Sequence, residues 1–150
     1  MILHRFQQTQ TLPISLKEAW EFFVYPQNLD DITPAEMGFE TVGGGDERIF
    51  PGAIIEHRVK VAPLVKVTWV TEITQVVEQD YFIDEQRFGP YKFWHHRHRF
   101  EACSEGVNIH DHVHYALPLS PLGDIGHFLI RKKLDEIFGF RTKVLDQHFR

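Results

Sequence analysis

The stretch from Lys92 to Leu117 reads KFWHHRHRFEACSEGVNIHDHVHYAL. Apolar and polar residues alternate on both sides of a turn at Ser104-Glu105-Gly106, which predicts two antiparallel strands over roughly 92–103 and 107–117. Because the apolar residues select the buried side, one face of the hairpin is predicted to point inward. Its members are Trp94, His96, His98 and Phe100 in the first strand and Ile109, Asp111, Val113 and Tyr115 in the second.

The tight turn also predicts which residues face each other across the hairpin. Trp94 is expected beside Tyr115 and His98 beside Asp111, with Cβ atoms about 5 Å apart. The six histidines between positions 95 and 114 then divide by strand parity. His96 and His98 point inward, whereas the other four point outward as a solvated face: His95, His110, His112 and His114.

The chain before the hairpin is predicted to supply one edge strand, two short helices and more strands. Ser15-Leu16-Lys17-Glu18 is a capping box that begins a helix near residue 16, and the helix ends before Pro26. A second short helix covers 28–34, and Gly43-Gly44-Gly45-Asp46 forms a turn. One strand is predicted before Pro13, and two half-buried strands are predicted from Ala53 to Thr74. The inward side of these two strands includes His57, Val61, Val65 and Trp69. A further strand covers 81–88, and its alternation does not show which side faces inward.

The chain after the hairpin is predicted to form one long helix. Ser120-Pro121 supplies the N-cap and the first helical proline, and apolar residues at helical spacing continue from Leu122 to about Phe149. At about 1.5 Å per residue, this helix is about 40 Å long and crosses a small domain. Gly126 and Gly139 interrupt it, and each glycine either permits a bend or lets another group approach the backbone.

Composition limits the class of protein. With 150 residues, of which 43% are hydrophobic, residues 1–150 are predicted to form one domain with a substantial core. A formal net charge of -5 argues against a general nucleic-acid binder, and no apolar stretch is long enough for a membrane span. The start of the chain lacks a secretory signal and Cys103 has no disulfide partner, so a cytoplasmic protein is predicted. A homodimer is left open.

Three local signatures carry a family resemblance. They are Asn28-Leu29-x-x-Ile32-Thr33-Pro34, then Gly89-Pro90-Tyr91-x-x-Trp94-x-His96-x-His98-x-Phe100-Glu101, then Asp111-x-Val113-x-Tyr115-x-x-Pro118 followed by Leu122-Gly123. With them, the whole chain resembles the SRPBCC superfamily, which includes START, Bet v 1 and polyketide cyclase/dehydrase proteins, and in particular a functionally uncharacterised bacterial subgroup. Ala35 departs from the pattern, in which a second proline usually follows Pro34.

The resemblance implies an α+β helix-grip fold. A curved antiparallel sheet wraps around a long C-terminal helix, and two short helices follow the first strand. It also implies a pocket for a hydrophobic or amphipathic small molecule, lipids included, beneath the last helix. It supplies no catalytic residue set, because the fold hosts carriers, receptors and cyclases alike. The predicted ligand-binding residues are Trp69, Trp94, His96, His98, Phe100, Asp111, Tyr115, Leu134, Phe138 and Arg141.

The inward polar residues admit several hypotheses. His98 and Asp111 form either a structural cross-strand pair or, together with His96, a catalytic set for proton transfer in a cyclase- or dehydratase-type enzyme. His96, His98 and Asp111 also have ligand types that suit zinc or iron, but their spacing is not diagnostic, so no metal or cofactor is predicted. A third class is an interaction module that acts through the outward histidines.

Two basic features of the last helix have different expected roles. Arg131-Lys132-Lys133 is predicted to lie on the solvent-exposed side of the helix. Arg141 lies beyond Ile137 and Phe138 on the side expected to face the sheet. It either pairs with a ligand carboxylate or forms a salt bridge at the rim of the pocket.

Overall fold

A seven-stranded antiparallel sheet and three α-helices make up the computed structural model, which describes residues 1–119 and 122–149. The strands are β1 (His4–Leu12), β2 (Glu40–Gly43), β3 (Ile54–Ala62), β4 (Val65–Val77), β5 (Tyr81–Phe88), β6 (Phe93–Cys103) and β7 (Gly106–Ala116). The helices are α1 (Leu16–Phe23), α2 (Asn28–Asp31) and α3 (His127–Phe149), with 3-10 turns at Ala35–Met37 and Leu122–Gly126. The strand order is β1-β7-β6-β5-β4-β3-β2.

The predicted α+β helix-grip fold is confirmed, with two short helices after the first strand and a long helix at the end of the chain. The last helix begins as a 3-10 turn at Leu122 and becomes α-helical at His127. The cap predicted at Ser120-Pro121 lies outside the described residues. β2 was not predicted, because Glu40–Gly43 has no apolar alternation.

The first helix and the sheet enclose the larger part of the core. Ser15 caps α1 by accepting a hydrogen bond from the Glu18 amide at 3.1 Å, as the capping box predicted. The cap sets the helix so that Trp20 points at the sheet, where it is 0% exposed. Its ring lies 6.0 Å from Phe82 and 5.3 Å from Phe100 in edge-to-face contacts. Phe100 therefore belongs to the packed core.

Helix α3 crosses the concave face of the sheet and is tied to the edge strand β1. The side-chain amide of Gln8 donates to Thr142 Oγ1 and that of Gln10 donates to the Thr142 carbonyl, both at 2.8 Å. At Gly126 and Gly139, no described atom outside the adjacent residues and the local helix backbone lies within 4 Å of the position that a Cβ would take, so of the two alternatives, a bend or a close approach, the close approach does not occur in the described chain. Among the described residues, no helix has the length and apolar character needed to cross a membrane.

The strand pairing corrects the predicted facing of two residues and settles that of β5. Val61 and Val65 were expected to point inward, but they are 49% and 48% exposed. The register between β3 and β4 shifts after Lys60, and the ends of both strands run past the core. The ambiguous facing of β5 is settled by its pairing with β6: Phe82 lies opposite His98 and Asp84 opposite His96. Phe82 and Asp84 consequently share the face that carries the two inward histidines.

Candidate functional site

A cavity of about 180 Å³ lies between the concave face of the sheet and the helices. Most of its wall is apolar, and aromatic side chains form one side of it. The rings of Trp69 and Trp94 meet edge to face at 5.3 Å, and Tyr91 lies 5.6 Å from Trp69. Phe138 of α3 also lines the cavity. This wall suits a flat hydrophobic molecule.

One end of the cavity is polar and is built on three neighbouring strands. Asp84 of β5 and His96 and His98 of β6 line it, and Asp111 of β7 lies behind the histidines. The two imidazole rings stack with their centroids 3.6 Å apart. The predicted neighbours His98 and Asp111 do lie opposite each other in the ladder, as do Trp94 and Tyr115.

The hydrogen bonds of this polar end run diagonally across the ladder. His98 Nε2 lies 2.5 Å from Asp84 Oδ2, and His96 Nε2 lies 2.7 Å from Asp111 Oδ1. The other nitrogens are farther from the carboxylates: His96 Nδ1 is 3.7 Å from Asp84 Oδ2, and His98 Nδ1 is 3.5 Å from Asp111 Oδ1. His98 and Asp111 are thus the predicted cross-strand neighbours, with His98 Nδ1 3.5 Å from Asp111 Oδ1, but the shorter hydrogen bond to Asp111 comes from His96.

Burial and mutual contacts shift the protonation of this group. Burial raises the pKa of the Asp84 carboxyl, but His96 and His98 outweigh it and lower the pKa to about 2. For the Asp111 carboxyl, burial again raises the pKa, and the hydrogen bond from His96 helps to lower it below its ordinary value. Burial and the neighbouring His96 lower the pKa of His98. At neutral pH both carboxyl groups are ionised and the His98 ring is neutral.

Arg141 reaches the same cavity from α3. It is 8% exposed, and its guanidinium lies over the Phe138 ring at 4.9 Å from the centroid. Its buried Nε has no hydrogen-bond partner among the described residues. Burial lowers the pKa of Arg141, while the charges of Asp111 and Asp84 raise it. The alternative of a salt bridge at the rim is thus wrong, since the side chain is buried and lines the cavity.

His57 of β3 is a further cavity residue, and its alternation placed it inward without marking it as a site residue. It is 4% exposed, and its Nδ1 lies 3.0 Å from Thr41 Oγ1. The Thr41 hydroxyl donates its single hydrogen to Asp30 at 2.8 Å, so His57 Nδ1 must donate to Thr41. The neutral ring then has an unprotonated Nε2. Burial lowers the pKa of His57 to about 4.

The structure brings most of the predicted ligand-binding residues to the cavity. Those that line it are Trp69, Trp94, His96, His98, Leu134, Phe138 and Arg141. Phe100, Asp111 and Tyr115 are not among the lining residues of the described chain. Phe100 packs on Trp20, Asp111 lies behind His96, and the Tyr115 hydroxyl shares a hydrogen bond of 2.7 Å with His127 Nε2.

Asp84 was missed by the sequence analysis. It lies in a strand whose alternation favoured neither face, so its position could be read only after β5 was paired with β6. One signal was available in the sequence: Asp84 shares strand parity with Phe82, one of the two competing sets of inward residues.

Solved structures of several proteins are similar to the whole chain. Ginseng major latex-like protein 151 from Panax ginseng is 14% identical with a TM-score of 0.71, and the match covers 100% of this chain and 99% of that one. Ara h 8.0201 is 18% identical with a TM-score of 0.62 and coverage of 95% and 97%. StfQ, the di-domain ARO/CYC from the steffimycin biosynthetic pathway, is 10% identical with a TM-score of 0.74, and the match covers 98% of this chain and 50% of StfQ.

Sequence comparison gives no such match: neither a family model nor a curated protein matches the chain. At identities this low, the structural likeness establishes the fold. Bet v 1-like, latex-like and polyketide cyclase proteins of the SRPBCC superfamily share it. The chain therefore has the helix-grip fold that these solved structures share.

Proposed function

We propose that the chain binds a small amphipathic molecule in the cavity, with a polar group of the ligand on Arg141 and its apolar body against Trp69 and Trp94. The observation that carries the proposal is the buried Arg141 at the cavity wall, whose Nε has no hydrogen-bond partner among the described residues. An unsatisfied buried donor costs about 1–3 kcal/mol, and more when it is charged. A ligand that accepts hydrogen bonds from Arg141 recovers this cost.

The volume of the cavity limits the size of the ligand. A dry cavity of about 150 Å³ in another protein accommodates benzene. The cavity here, at about 180 Å³, is only slightly larger. It has room for a ligand with one substituted ring.

The charges of the polar end limit the chemistry of the ligand. Two ionised carboxylates, Asp84 and Asp111, face one guanidinium, Arg141, so the fixed charges are negative on balance. A ligand carboxylate would add a second buried excess charge, which is costly in a low dielectric. A neutral carbonyl accepts from Arg141 without that cost, and a ligand hydroxyl can donate to an imidazole nitrogen.

The experiment that tests this proposal compares three probes of similar shape by quenching of tryptophan fluorescence. They are 4-hydroxyacetophenone, its apolar isostere 4-isopropyltoluene, and the anion 4-hydroxybenzoate. We expect the hydroxyketone to bind at least about tenfold more tightly than either of the other two, from one or two hydrogen bonds. Equal affinity for the hydroxyketone and the hydrocarbon would contradict the role of the polar end.

Two variants of α3 locate the preference. Arg141→Met should abolish the advantage of the hydroxyketone over the hydrocarbon while leaving the hydrocarbon bound. Lys133→Met, at an exposed position of the same helix, is the matched control and should change neither affinity. Preference retained in Arg141→Met would mean that Arg141 does not hold the ligand.

The second candidate function is a cyclase- or dehydratase-type proton transfer. It is favoured by the arrangement in which His96 and His98 each bind a carboxylate through one nitrogen, while Nδ1 of each lies 3.5 Å or more from the other carboxylate. A carboxylate behind an imidazole fixes its tautomer and raises its basicity. The residues assigned to the transfer are His96 and His98, with Asp84 and Asp111 in support.

An enolisation assay tests the second candidate. In D₂O, a base in the cavity removes a methyl proton from bound 4-hydroxyacetophenone, and the enol takes up a deuteron at the same carbon. We expect exchange of the acetyl protons, followed by NMR, to be faster with the protein than with equimolar free imidazole. The rate should fall to the free-imidazole level in His96→Asn and remain in His112→Gln, on the outer face. If the wild-type protein does not accelerate the exchange, the proton-transfer function is wrong and ligand binding is the function that remains.

Other properties stay predictions of the sequence. A cytoplasmic location, the absence of a nucleic-acid partner and the single domain 1–150 rest on composition and on the pattern of the chain. A homodimer is compatible with the sequence and is not required by the proposed binding, because the described cavity is lined by one chain.

A further inference from the structure

The polar end of the cavity has the donor set of a three-ligand metal site. One ligand atom each from Asp84, His96 and His98 lies within 4.8 Å of the other two, and the three side chains line the cavity together. We propose that these residues bind a divalent transition-metal ion, zinc by ligand preference, with a coordination position open to the cavity. Two imidazoles and a carboxylate are ligands that zinc and its neighbours in the first transition row accept.

The positions of the ring nitrogens relative to the two carboxylates support the assignment. Asp84 Oδ2 faces His98 Nε2 at 2.5 Å and His96 Nδ1 at 3.7 Å. On the opposite side, Asp111 Oδ1 faces His96 Nε2 at 2.7 Å and His98 Nδ1 at 3.5 Å. Asp84 thus lies beside His98 Nε2 and His96 Nδ1, and Asp111 lies beside His96 Nε2 and His98 Nδ1.

This arrangement lets Asp111 hold both rings in the tautomers that a metal requires. Histidines that bind metals through one nitrogen usually donate the other N–H to a carboxylate. His96 already donates Nε2–H to Asp111. His98 needs its proton on Nδ1, toward Asp111, instead of on Nε2, and this tautomer change releases no net proton. His96 Nδ1 and His98 Nε2 then offer lone pairs on the side of Asp84.

The separations from Asp84 are close to those of a zinc site, and the two stacked rings, 3.6 Å apart, would tilt so that both lone pairs point at the ion. Zinc binds nitrogen and oxygen at about 2.0–2.2 Å, so tetrahedral ligand atoms lie about 3.4 Å apart. The separations of Asp84 Oδ2 from the two nitrogens are 2.5 and 3.7 Å, on either side of that value. The Asp84 side chain is 18% exposed and lines the cavity, and its rotation would lengthen the 2.5 Å separation from His98 Nε2.

The charge of the site also suits a cation. Asp84 and Asp111 both face the two histidines, and the one basic side chain nearby, Arg141, forms no ion pair with a described carboxylate. The carboxylate that coordinates differs from the one considered on sequence grounds: Asp84 is the ligand, and Asp111 is the residue that positions the imidazoles. The proposal does not depend on an organic ligand, so it survives or fails separately from the proposed function.

The test is a titration of the tag-free, chelator-treated full chain with Co²⁺ alone. We expect one equivalent to bind, with the intense visible absorption of four-coordinate Co²⁺, and Zn²⁺ to displace it. Tryptophan fluorescence should fall in parallel, because the Trp94 ring lies 6.1 Å from His96. A spectrum of octahedral Co²⁺ only, or no change in fluorescence at one equivalent, would overturn the proposal.

Variants separate this site from the outward histidines, which could also bind a metal ion. His98→Gln and Asp84→Asn should each weaken Co²⁺ binding at least about 100-fold, and Asp111→Asn about 10- to 100-fold as a positioning residue. The double variant His95→Gln/His114→Gln, on the outer face, should keep the wild-type spectrum and affinity. If the outer double variant loses the signal instead, the metal binds there and the proposal is wrong. Should the inner variants fail to fold, the outer variant and the wild-type spectrum still decide.

Discussion

His96 donates a hydrogen bond of 2.7 Å to Asp111, although the strand ladder places His98 opposite Asp111. The same crossing occurs one step away, where His98 binds Asp84 while Asp84 lies opposite His96. Diagonal neighbours on one face of a sheet are about 7–8 Å apart at the backbone, within reach of long side chains. Side-chain rotamers, rather than register, therefore decide which carboxylate each imidazole binds.

A double-mutant cycle measures this diagonal preference. For His96→Ala and Asp111→Ala we expect a coupling energy of about 1.5–3 kcal/mol, the usual range for a hydrogen bond to a charged group. For His98→Ala and Asp111→Ala, at 3.5 Å, the coupling should be below about 1 kcal/mol. The measurement is the free energy of unfolding in urea, in the presence of a chelator. A larger coupling for His98 than for His96 would show that the ladder partner is the true one.

His57 should make the protein less stable in mild acid. Its pKa is lowered by burial to about 4, against an ordinary value near 6.5, so the unfolded chain binds a proton between these pH values and the folded chain does not. The free energy of unfolding consequently falls as the pH drops through this window. The contribution of His57 to that fall is about 2 kcal/mol between pH 7 and pH 5.

The measurement compares urea unfolding of the wild type and of His57→Phe at both pH values. The phenyl ring can keep the contact with Phe39, whose ring lies 4.6 Å from His57, and Thr41 keeps its bond to Asp30. The variant should lose less stability than the wild type on acidification. Equal losses in the two proteins would mean that folded His57 takes up a proton as easily as the unfolded chain does.

Trp20 should contribute to stability through its volume and not through its indole N–H. The residue is 0% exposed, and its Nε1 has no hydrogen-bond partner among the described residues. Trp20→Phe retains ring contacts with Phe82 and Phe100 and should cost less than about 2 kcal/mol, whereas Trp20→Ala should cost about 3–5 kcal/mol. Chemical denaturation of the two variants checks the difference. A phenylalanine variant as unstable as the alanine variant would reveal a partner for the indole nitrogen.

Two glycines should respond to alanine in opposite ways. At Gly139, in the middle of α3, no described atom outside the adjacent residues and the local helix backbone lies within 4 Å of the added Cβ, so Gly139→Ala should raise stability by up to about 1 kcal/mol through helix propensity. At Gly106 the backbone has φ +136°, and the added Cβ would lie 2.1 Å from the Leu12 carbonyl oxygen. Gly106→Ala should therefore cost at least about 2 kcal/mol. Thermal unfolding of both variants shows whether each substitution raises or lowers the stability. Stabilisation by Gly106→Ala would mean that the turn can rearrange.

The hairpin of β6 and β7 could be predicted in detail because its determinants are local. Strict alternation of apolar and polar residues gave its facing, and the tight turn gave its register, including the pairing of Trp94 with Tyr115. The capping box at Ser15 and the apolar spacing after Leu122 likewise placed the first and last helices. In each case neighbouring residues contain the whole signal, since strand parity, turn geometry and helix capping act over a few positions.

The site depended on contacts between distant parts of the chain. Asp84 joins the histidines only because β5 pairs with β6, and its own strand has no clear alternation. Arg141 comes from α3, and whether it finds a carboxylate depends on how the helix packs over the sheet. The sequence by itself determined the order of the elements other than β2, the faces of the hairpin and the fold that they specify. Only the tertiary structure decided which side chains meet in the cavity and which polar atoms stay unpaired, because rotamers and interatomic distances are set by packing between segments that periodicity does not relate.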